Sequence, residues 1–230
     1  MIKIAVTKIS SLIGKHPYKR VSDTIKEILT RAEFWKNNKK YSPTQNVVEA
    51  QLKQTSFYNW FTKANVVTGR MRRIGRSIVN KVCKEHGVKY NKPYNYWAKK
   101  RGVTKEPWCI ANVKRMCNAT VTDQQKKISL NCNDYKIVGA IDGICQGKVV
   151  EIKCRSCVLK ETPCWELIQI KVYCYILQMP GVLYEFQGND VRKTEVSLED
   201  ATTSFENDIQ PELTKVINEL LLSKTSTERD

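Results

Sequence analysis

Acidic side chains are scarce in the first half of this 230-residue chain: residues 1–105 hold 24 Lys and Arg against 5 Asp and Glu, a net charge of +19. The remainder holds 15 against 18, a net of −3. A surface made basic only for solubility would not concentrate its charge in one half, so the imbalance points to a polyanionic partner, nucleic acid above all. Long apolar runs are missing too. None approaches the ~18 residues of a membrane span, and no amphipathic basic helix with an aromatic face suits a membrane surface. The start, Met1-Ile-Lys-Ile-Ala-Val-Thr-Lys8, lacks the long apolar region of a signal peptide, so an intracellular protein is expected. Nine cysteines, an odd number with several inside expected strands and helices, read as reduced thiols in the same setting. Internal repeats, low-complexity blocks and domain linkers are absent. At 41% hydrophobic content, the chain can bury one substantial core, or one core plus a helical lobe.

The most informative stretch is Ile137–Arg155, where β-branched residues flank Gly143 and Gly147 and predict two strands joined by a turn. Alternation places Glu151 and Lys153 on one face and Val150, Ile152 and Cys154 on the other, which is the expected core side. A carboxylate and an ammonium then share a surface beside Asp142 across the hairpin. Two adjacent carboxylates suit a hard divalent cation, and a neighbouring lysine can hold a water or an anionic transition state. The set fits metal-assisted attack on a phosphodiester. From this stretch alone, a plain surface hairpin reads as well.

Upstream, Ser10, Ser11 and Lys15 before His16-Pro17-Tyr18-Lys19-Arg20 read either as a phosphate cradle or as a short capped helix and a turn. Ser22-Asp23 predicts a helix with Ile25, Ile28, Leu29, Ala32 and Trp35 inward. Pro43 opens another, with Val47, Val48, Leu52 and then Tyr58, Trp60 and Phe61 inward. Val67–Glu85 reads as a helix ended at His86-Gly87, its apolar stripe being Ile74, Ile78, Val79 and Val82. Arg70, Arg72, Arg73 and Arg76 crowd its first half, in a pattern suited to phosphate contacts. Residues 88–120, with Tyr90, Tyr94, Trp97 and Lys99-Lys100-Arg101, read either as a single-strand path or as an ordinary loop and helix. Thr120–Thr122 and Lys127–Leu130 predict short strands. Thr162-Pro163 begins a helix burying Ile168, Val172, Tyr175, Ile176 and Met179, with Trp165, Gln169 and Tyr173 on a neighbouring line. Val182–Gln187 and Val191–Val196 predict a hairpin, Ser197–Asp200 a capping box, Pro211 a helix break or restart, and 223–230 a frayed tail.

Helix, strand with Asp, turn, strand with Glu-x-Lys, helix with Gln and Tyr, strand: this order resembles the PD-(D/E)XK nuclease superfamily, and within it the lambda-exonuclease or YqaJ-type viral recombinase family. Ala140-Ile141-Asp142-Gly143 stands where that family has Ser-Pro-Asp-Gly, and Glu151-Ile152-Lys153-Cys154 matches its Glu-x-Lys-Cys. Gln169-Ile170-Lys171 with Tyr173 resembles its Gln-rich helix. Thr30–Trp35 resembles its Arg-x-Glu-Leu-Trp, and Gly69 its Gly-x-x-x-Glu. The resemblance implies an α/β (α+β) fold: a restriction-endonuclease-like core with a central mixed β-sheet flanked by helices. It makes 1–230 a single domain, with a basic, mainly helical portion at 1–105, the sheet core at 106–222 and the tail. It implies Mg²⁺ or Mn²⁺ held by Asp142, Glu151 and the Ile152 carbonyl, with Lys153 positioning the attacking water and Gln169 supporting the site. Ser10, Ser11 and Lys15 would lie near a 5′-phosphate, and Arg155 and Lys171 join the arginine helix as expected DNA contacts. The implied activity is 5′-to-3′ exonuclease action on double-stranded DNA ends, in a ring-shaped trimer, with 3′ single strands passed to an annealing protein. Two departures stand out. Arg73 occupies the position of the family's upstream Glu, leaving Glu85 or Glu49 as substitutes, and Ile141 replaces the usual Pro. A structure-selective or site-specific endonuclease on the same fold and a DNA-binding module without catalysis are the rival readings. Cys154, Cys157 and Cys164 as a metal set is the disfavoured one.

Overall fold

The computed structural model describes residues 2–36, 43–65, 67–87, 93–155 and 160–227. The chain begins with a short strand, β1 (Ile2–Ala5), that turns directly into helix α1 (Val6–Leu12). Helices α2 (Val21–Lys36), α3 (Pro43–Gln54), α4 (Ser56–Lys63), α5 (Gly69–Glu85) and α6 (Pro93–Cys117) follow. Strands β2 (Lys127–Asn131), β3 (Tyr135–Ala140), β4 (Gly143–Cys145) and β5 (Lys148–Cys154) lead to helix α7 (Cys164–Leu177). The chain then runs through β6 (Gly181–Gln187), β7 (Asp190–Val196), α8 (Leu198–Ser204) and α9 (Gln210–Thr227).

The architecture is mixed α/β, as expected, but the central sheet comes in two pieces. β1-β3-β2 form one and β4-β5-β6-β7 the other; each combines one parallel pairing, β1 with β3 or β5 with β6, with antiparallel neighbours. The break falls at Ile141-Asp142, between β3 and β4, so the sheet edge changes where the key aspartate sits. The expected strand at Thr120–Thr122 is reduced to one bridge, Thr122 to Ile144. Gly143 explains why the bridge closes there: a Cβ at this position would stand 2.3 Å from a Val121 methyl.

Three apolar clusters organise the layers. One fills the space between β1–β3, α1, α7 and the C-terminal helices, with Ile4, Ile137, Ile170 and Phe205 inside. Another lies on the far face of β5 and β6, where Val150, Val182 and Phe186 meet Cys109 and Val113 of α6. A third is purely helical, with Leu52, Phe61, Val79 and Trp97 drawn from α3, α4, α5 and the start of α6. The basic first half therefore splits: β1 and α1 belong to the sheet layer, and α3–α5 form a separate lobe. Helix α6 serves both, because its first turns pack in the lobe and its later turns pack on the sheet.

Residues 88–120, which the sequence left open, thus contain the longest helix among the described residues. Trp97 is no base-stacking platform: it is fully buried, and its indole N–H donates to the Gly75 carbonyl at 2.7 Å. Tyr90 and Tyr94 lie outside the residues whose side chains are described, as do Leu29, Arg31, Glu33 and the rest of Thr30–Trp35. Two expected inward residues face out instead, Val47 and Trp60, because α3 and α4 break at Thr55 and the phase of the apolar stripe resets to Phe57 and Phe61. The arginine helix starts at Gly69, capped by the Thr68 hydroxyl accepting from the Met71 amide. The Ser197 hydroxyl caps α8 by accepting from the Asp200 amide. Pro211 neither breaks nor restarts the chain's helical course. It sits in the first turn of α9, preceded by a π-helical stretch, Phe205–Ile209. A proline offers no N–H and crowds the carbonyl four residues earlier, so a widened turn just before it is the accommodating geometry. No helix among the described residues is long and apolar enough to cross a membrane.

Candidate active site

Strand β5 is covered on both faces. Val150 packs toward α6, whereas Glu151 and Lys153 point toward α7, so the polar face is not the open surface that alternation alone implied. Glu151 is 3% exposed. Its surroundings are polar: Oε1 accepts from Lys153 Nζ at 2.5 Å and from Gln169 Nε2 at 2.7 Å. Gln169 Oε1 in turn accepts from Lys153 at 3.1 Å, and Gln169 Nε2 also reaches the Tyr173 hydroxyl at 3.3 Å. The register of α7 is rotated from expectation: its buried face carries Glu166, Gln169, Ile170 and Tyr173, while Ile168, Tyr175 and Ile176 are only partly covered. Tyr173 fits because Gly139 of β3 has no side chain; a Cβ there would stand 2.6 Å from the tyrosine ring.

Asp142 stands just before β4 and closes the site from the other side. Its Oδ2 accepts from the Ile152 amide at 2.7 Å, beyond the point where β4 stops pairing with β5. Its Oδ1 accepts from Gln125 Nε2 at 3.2 Å, and the same amide reaches Glu106 of α6 at 2.6 Å. Glu106 is the carboxylate that the sequence reading missed. It lay in the unassigned 88–120 stretch, and its spacing from the hairpin carries no signal. The two substitutes suggested for the family's upstream Glu are engaged in the helical lobe, Glu49 with Lys100 and Glu85 with Gln51.

The electrostatics are strained in one direction. Burial pushes the Glu151 carboxyl up to about 7, even though Lys153 pulls the other way, and Asp142 adds to the rise. Burial likewise raises Asp142, against the Ile152 amide and Lys153, with Glu106 adding to it. For Lys153, burial disfavours the ammonium, but Glu151 outweighs it and the net shift is upward. The second Glu151 oxygen, Oε2, is buried without a hydrogen-bond partner. A buried carboxylate oxygen without a donor costs free energy unless a cation meets it.

Cys154, the last residue of the Glu-x-Lys-Cys run, faces α6. A hydrogen bond from Cys109 holds its thiol down to about 6, with Arg101 helping against the effect of burial. Arg101 is 2% exposed and acts as a tie: its guanidinium donates to the Ala64 and Asn65 carbonyls of the lobe and to Cys154 Sγ at 3.0 Å. Cys164 donates to the Lys15 carbonyl, and Cys157 lies outside the described residues. Among the described residues, no group of three or more His, Cys, Asp or Glu is placed to hold a metal ion.

The expected DNA contacts scatter. Arg155 is engaged internally: its guanidinium donates to Glu166 and, at 2.6 Å, to Glu185, and Thr162 also donates to Glu185. Ser10 and Ser11 are buried on α1, with the Ser11 hydroxyl unpartnered. Lys15 and Lys171 share the wall of a cavity of about 670 Å³ on another side of α7, and Lys171 is bonded there to Asp200 and Ser204. Arg70, Arg73 and Arg76 are exposed on α5 and Arg72 is partly buried.

Asp142 before β4, Glu151 and Lys153 on β5 and Gln169 on α7 thus meet around one buried carboxylate. No protein-family model matches the chain, and no curated protein does. Among solved structures it is similar to an alkaline exonuclease (LHK-Exo) from Laribacter hongkongensis, at 15% identity over 80% of this chain and 96% of that one, TM-score 0.46. The same exonuclease in complex with dAMP aligns at 12% identity over 76% and 92%, TM-score 0.43. A Eubacterium rectale protein with a provisional exonuclease name aligns at 13% identity over 94% and 81%, TM-score 0.47. The chemistry assigned to this chain rests on the residues of its own site.

Proposed function

We propose that the chain is a metal-dependent deoxyribonuclease, an exonuclease that hydrolyses phosphodiester bonds from double-stranded DNA ends in the 5′-to-3′ direction. The observation that carries this reading is the unpartnered Glu151 Oε2, buried beside a second raised carboxyl and a lysine. Two carboxylates whose charged forms are destabilised, with one oxygen lacking any donor, fit Mg²⁺ or Mn²⁺, which is held by one or two carboxylates and keeps water and phosphate as its other ligands. Asp142 and Glu151 would hold the ion. The Ile152 carbonyl supports them, since a strand residue's C=O points to the same edge as its N–H, and that N–H meets Asp142. When bound, the ion supplies Lewis-acid polarisation of the phosphoryl oxygens and lowers the pKa of a bound water. Lys153, held between Glu151 and Gln169, orients the attacking water and balances charge building on the phosphate. Gln169 fixes the Lys153 ammonium and the Glu151 carboxylate with one amide. The basic helical lobe supplies the field that draws DNA toward this edge.

The duplex end, the trimer and the annealing partner belong to the same reading. The test is incubation of the full chain with Mg²⁺ and either linear or covalently closed duplex DNA, with the 5′ or the 3′ end labelled. Loss from linear DNA only, with early release of 5′ label, is expected. Nicking of closed circles would replace the reading by an endonuclease, and binding without DNA loss by an inert module.

A further inference from the structure

The loop between α1 and α2 carries three rings that the catalytic set does not use. His16 stacks on Trp165 at a centroid separation of 5.0 Å and an interplanar angle of 29°. Tyr18 meets both edge-on, at 6.2 Å from His16 and 6.0 Å from Trp165, and is itself 78% exposed. The loop is fixed rather than draped: Cys164 Sγ donates to the Lys15 carbonyl, the Tyr18 amide to His16 Nδ1, and the Lys19 amide to the His16 carbonyl. Lys15, Lys19 and Arg20 surround the rings with exposed side chains, and the chain has no acidic residue before Asp23. Trp165 precedes Gln169 by one helical turn on α7, about 6 Å along the axis, and Glu166 between them acts on the His16 ring.

We propose that His16, Tyr18 and Trp165 form a stacking platform for an unpaired nucleobase of the strand whose phosphates lie along Lys15, Lys19 and Arg20. Rings offered edge and face beside cations are the combination by which single strands are held irrespective of sequence, and the carboxylate that acts on His16, Glu166, is itself engaged with Arg155. The inference rests on the nuclease reading for its role, since a base drawn out of the duplex end would bring the adjacent phosphodiester toward Glu151 and Lys153. Its binding chemistry stands without catalysis.

The test is fluorescence anisotropy in EDTA with the full chain and two labelled oligonucleotides of equal length, oligodeoxythymidylate and an abasic tetrahydrofuran backbone. The wild type should bind the base-bearing strand about tenfold more tightly than the abasic one. Tyr18→Ala, at an exposed position, should remove most of that ratio, Tyr18→Phe should keep it, and His16→Ala should reduce it. A wild-type ratio near one overturns the platform, as does a ratio unchanged in Tyr18→Ala; in either case the rings would be a surface for a protein instead. Ring-dependent preference in a chain that leaves DNA intact under Mg²⁺ supports the platform and sinks the nuclease. DNA loss without the preference does the reverse.

Discussion

Replacing Glu151 by Gln should stabilise the metal-free protein at neutral pH while abolishing its activity. The carboxyl sits at about 7 in the folded chain against 4.5 as its ordinary value. Below pH 4.5 it is protonated folded and unfolded, and contributes nothing to the pH dependence. Between 4.5 and 7 only the unfolded chain releases the proton, so stability falls as pH rises, by about 1.4 kcal/mol per unit. By pH 8 the full loss is about 3 kcal/mol, an upper limit for the gain in the variant. Removing the counter-charge of Lys153 returns part of it. At roughly 2–4 °C per kcal/mol for a chain of this size, the melting temperature of Glu151→Gln in EDTA should exceed the wild type's by several degrees at pH 8 and converge on it near pH 4.5. Mg²⁺ should raise the wild-type melting temperature and leave the variant's unchanged. The assay is calorimetry across pH 4.5–8 with and without the ion. A wild-type minus variant difference that stays flat across that range would refute the account of Glu151 as a carboxylate kept uncomfortable for a cation.

Lys153→Ala should reduce cleavage by about 10²–10⁴-fold and leave duplex affinity nearly unchanged in an anisotropy titration; retained activity rejects the site. Mg²⁺ affinity, measured by calorimetric titration, should rise from pH 6 to 8, because Glu151, raised to about 7, must lose its proton to bind; a pH-independent affinity counts against it as a ligand. Arg155→Ala should destabilise the fold by about 3–5 kcal/mol in denaturant titrations, since it strips buried Glu166 of its guanidinium and leaves Glu185 with Arg192 and Thr162 alone. Glu185, buried but held below its usual range by Thr162 and Arg155, contributes above pH 4.5 and loses that contribution as pH falls through its folded pKa, so the penalty should shrink in acid. Gly139→Ala should cost about 1–3 kcal/mol and lower the turnover number more than substrate binding, because it displaces Tyr173 from Gln169.

What was legible in the sequence was the chemistry of the hairpin, and what was not was its cover. Asp142, Glu151, Lys153 and Gln169 could be brought together because each lies on an element with a strong local signal: glycines flanked by β-branched residues, and a proline-opened helix. The two-residue alternation then assigned Glu151 to a surface, as it does for any strand with one apolar face. Alternation reports that two faces differ, not that one of them is wet. The missing half was on α7, where a polar line of Glu166, Gln169 and Tyr173 matches the polar face of β5 across a buried seam. Spacing alone puts Trp165, Gln169 and Tyr173 at the edge of a core led by Ile168 and Ile176, which rotates the expected helix away from Glu166. Glu106 escaped for a different reason: α6 serves two packing environments, so its apolar residues follow no single stripe, and neither the helix nor its carboxylate stood out from the basic run before it. The same dual service gives Arg101 its task, since a helix that passes from lobe to sheet needs a link between them, and a buried guanidinium bonded to Ala64, Asn65 and Cys154 is that link. The basic lobe is thereby fixed to the end of the strand that carries Lys153, which is how charge collected in the first half of the chain comes to bear on a site built in the second.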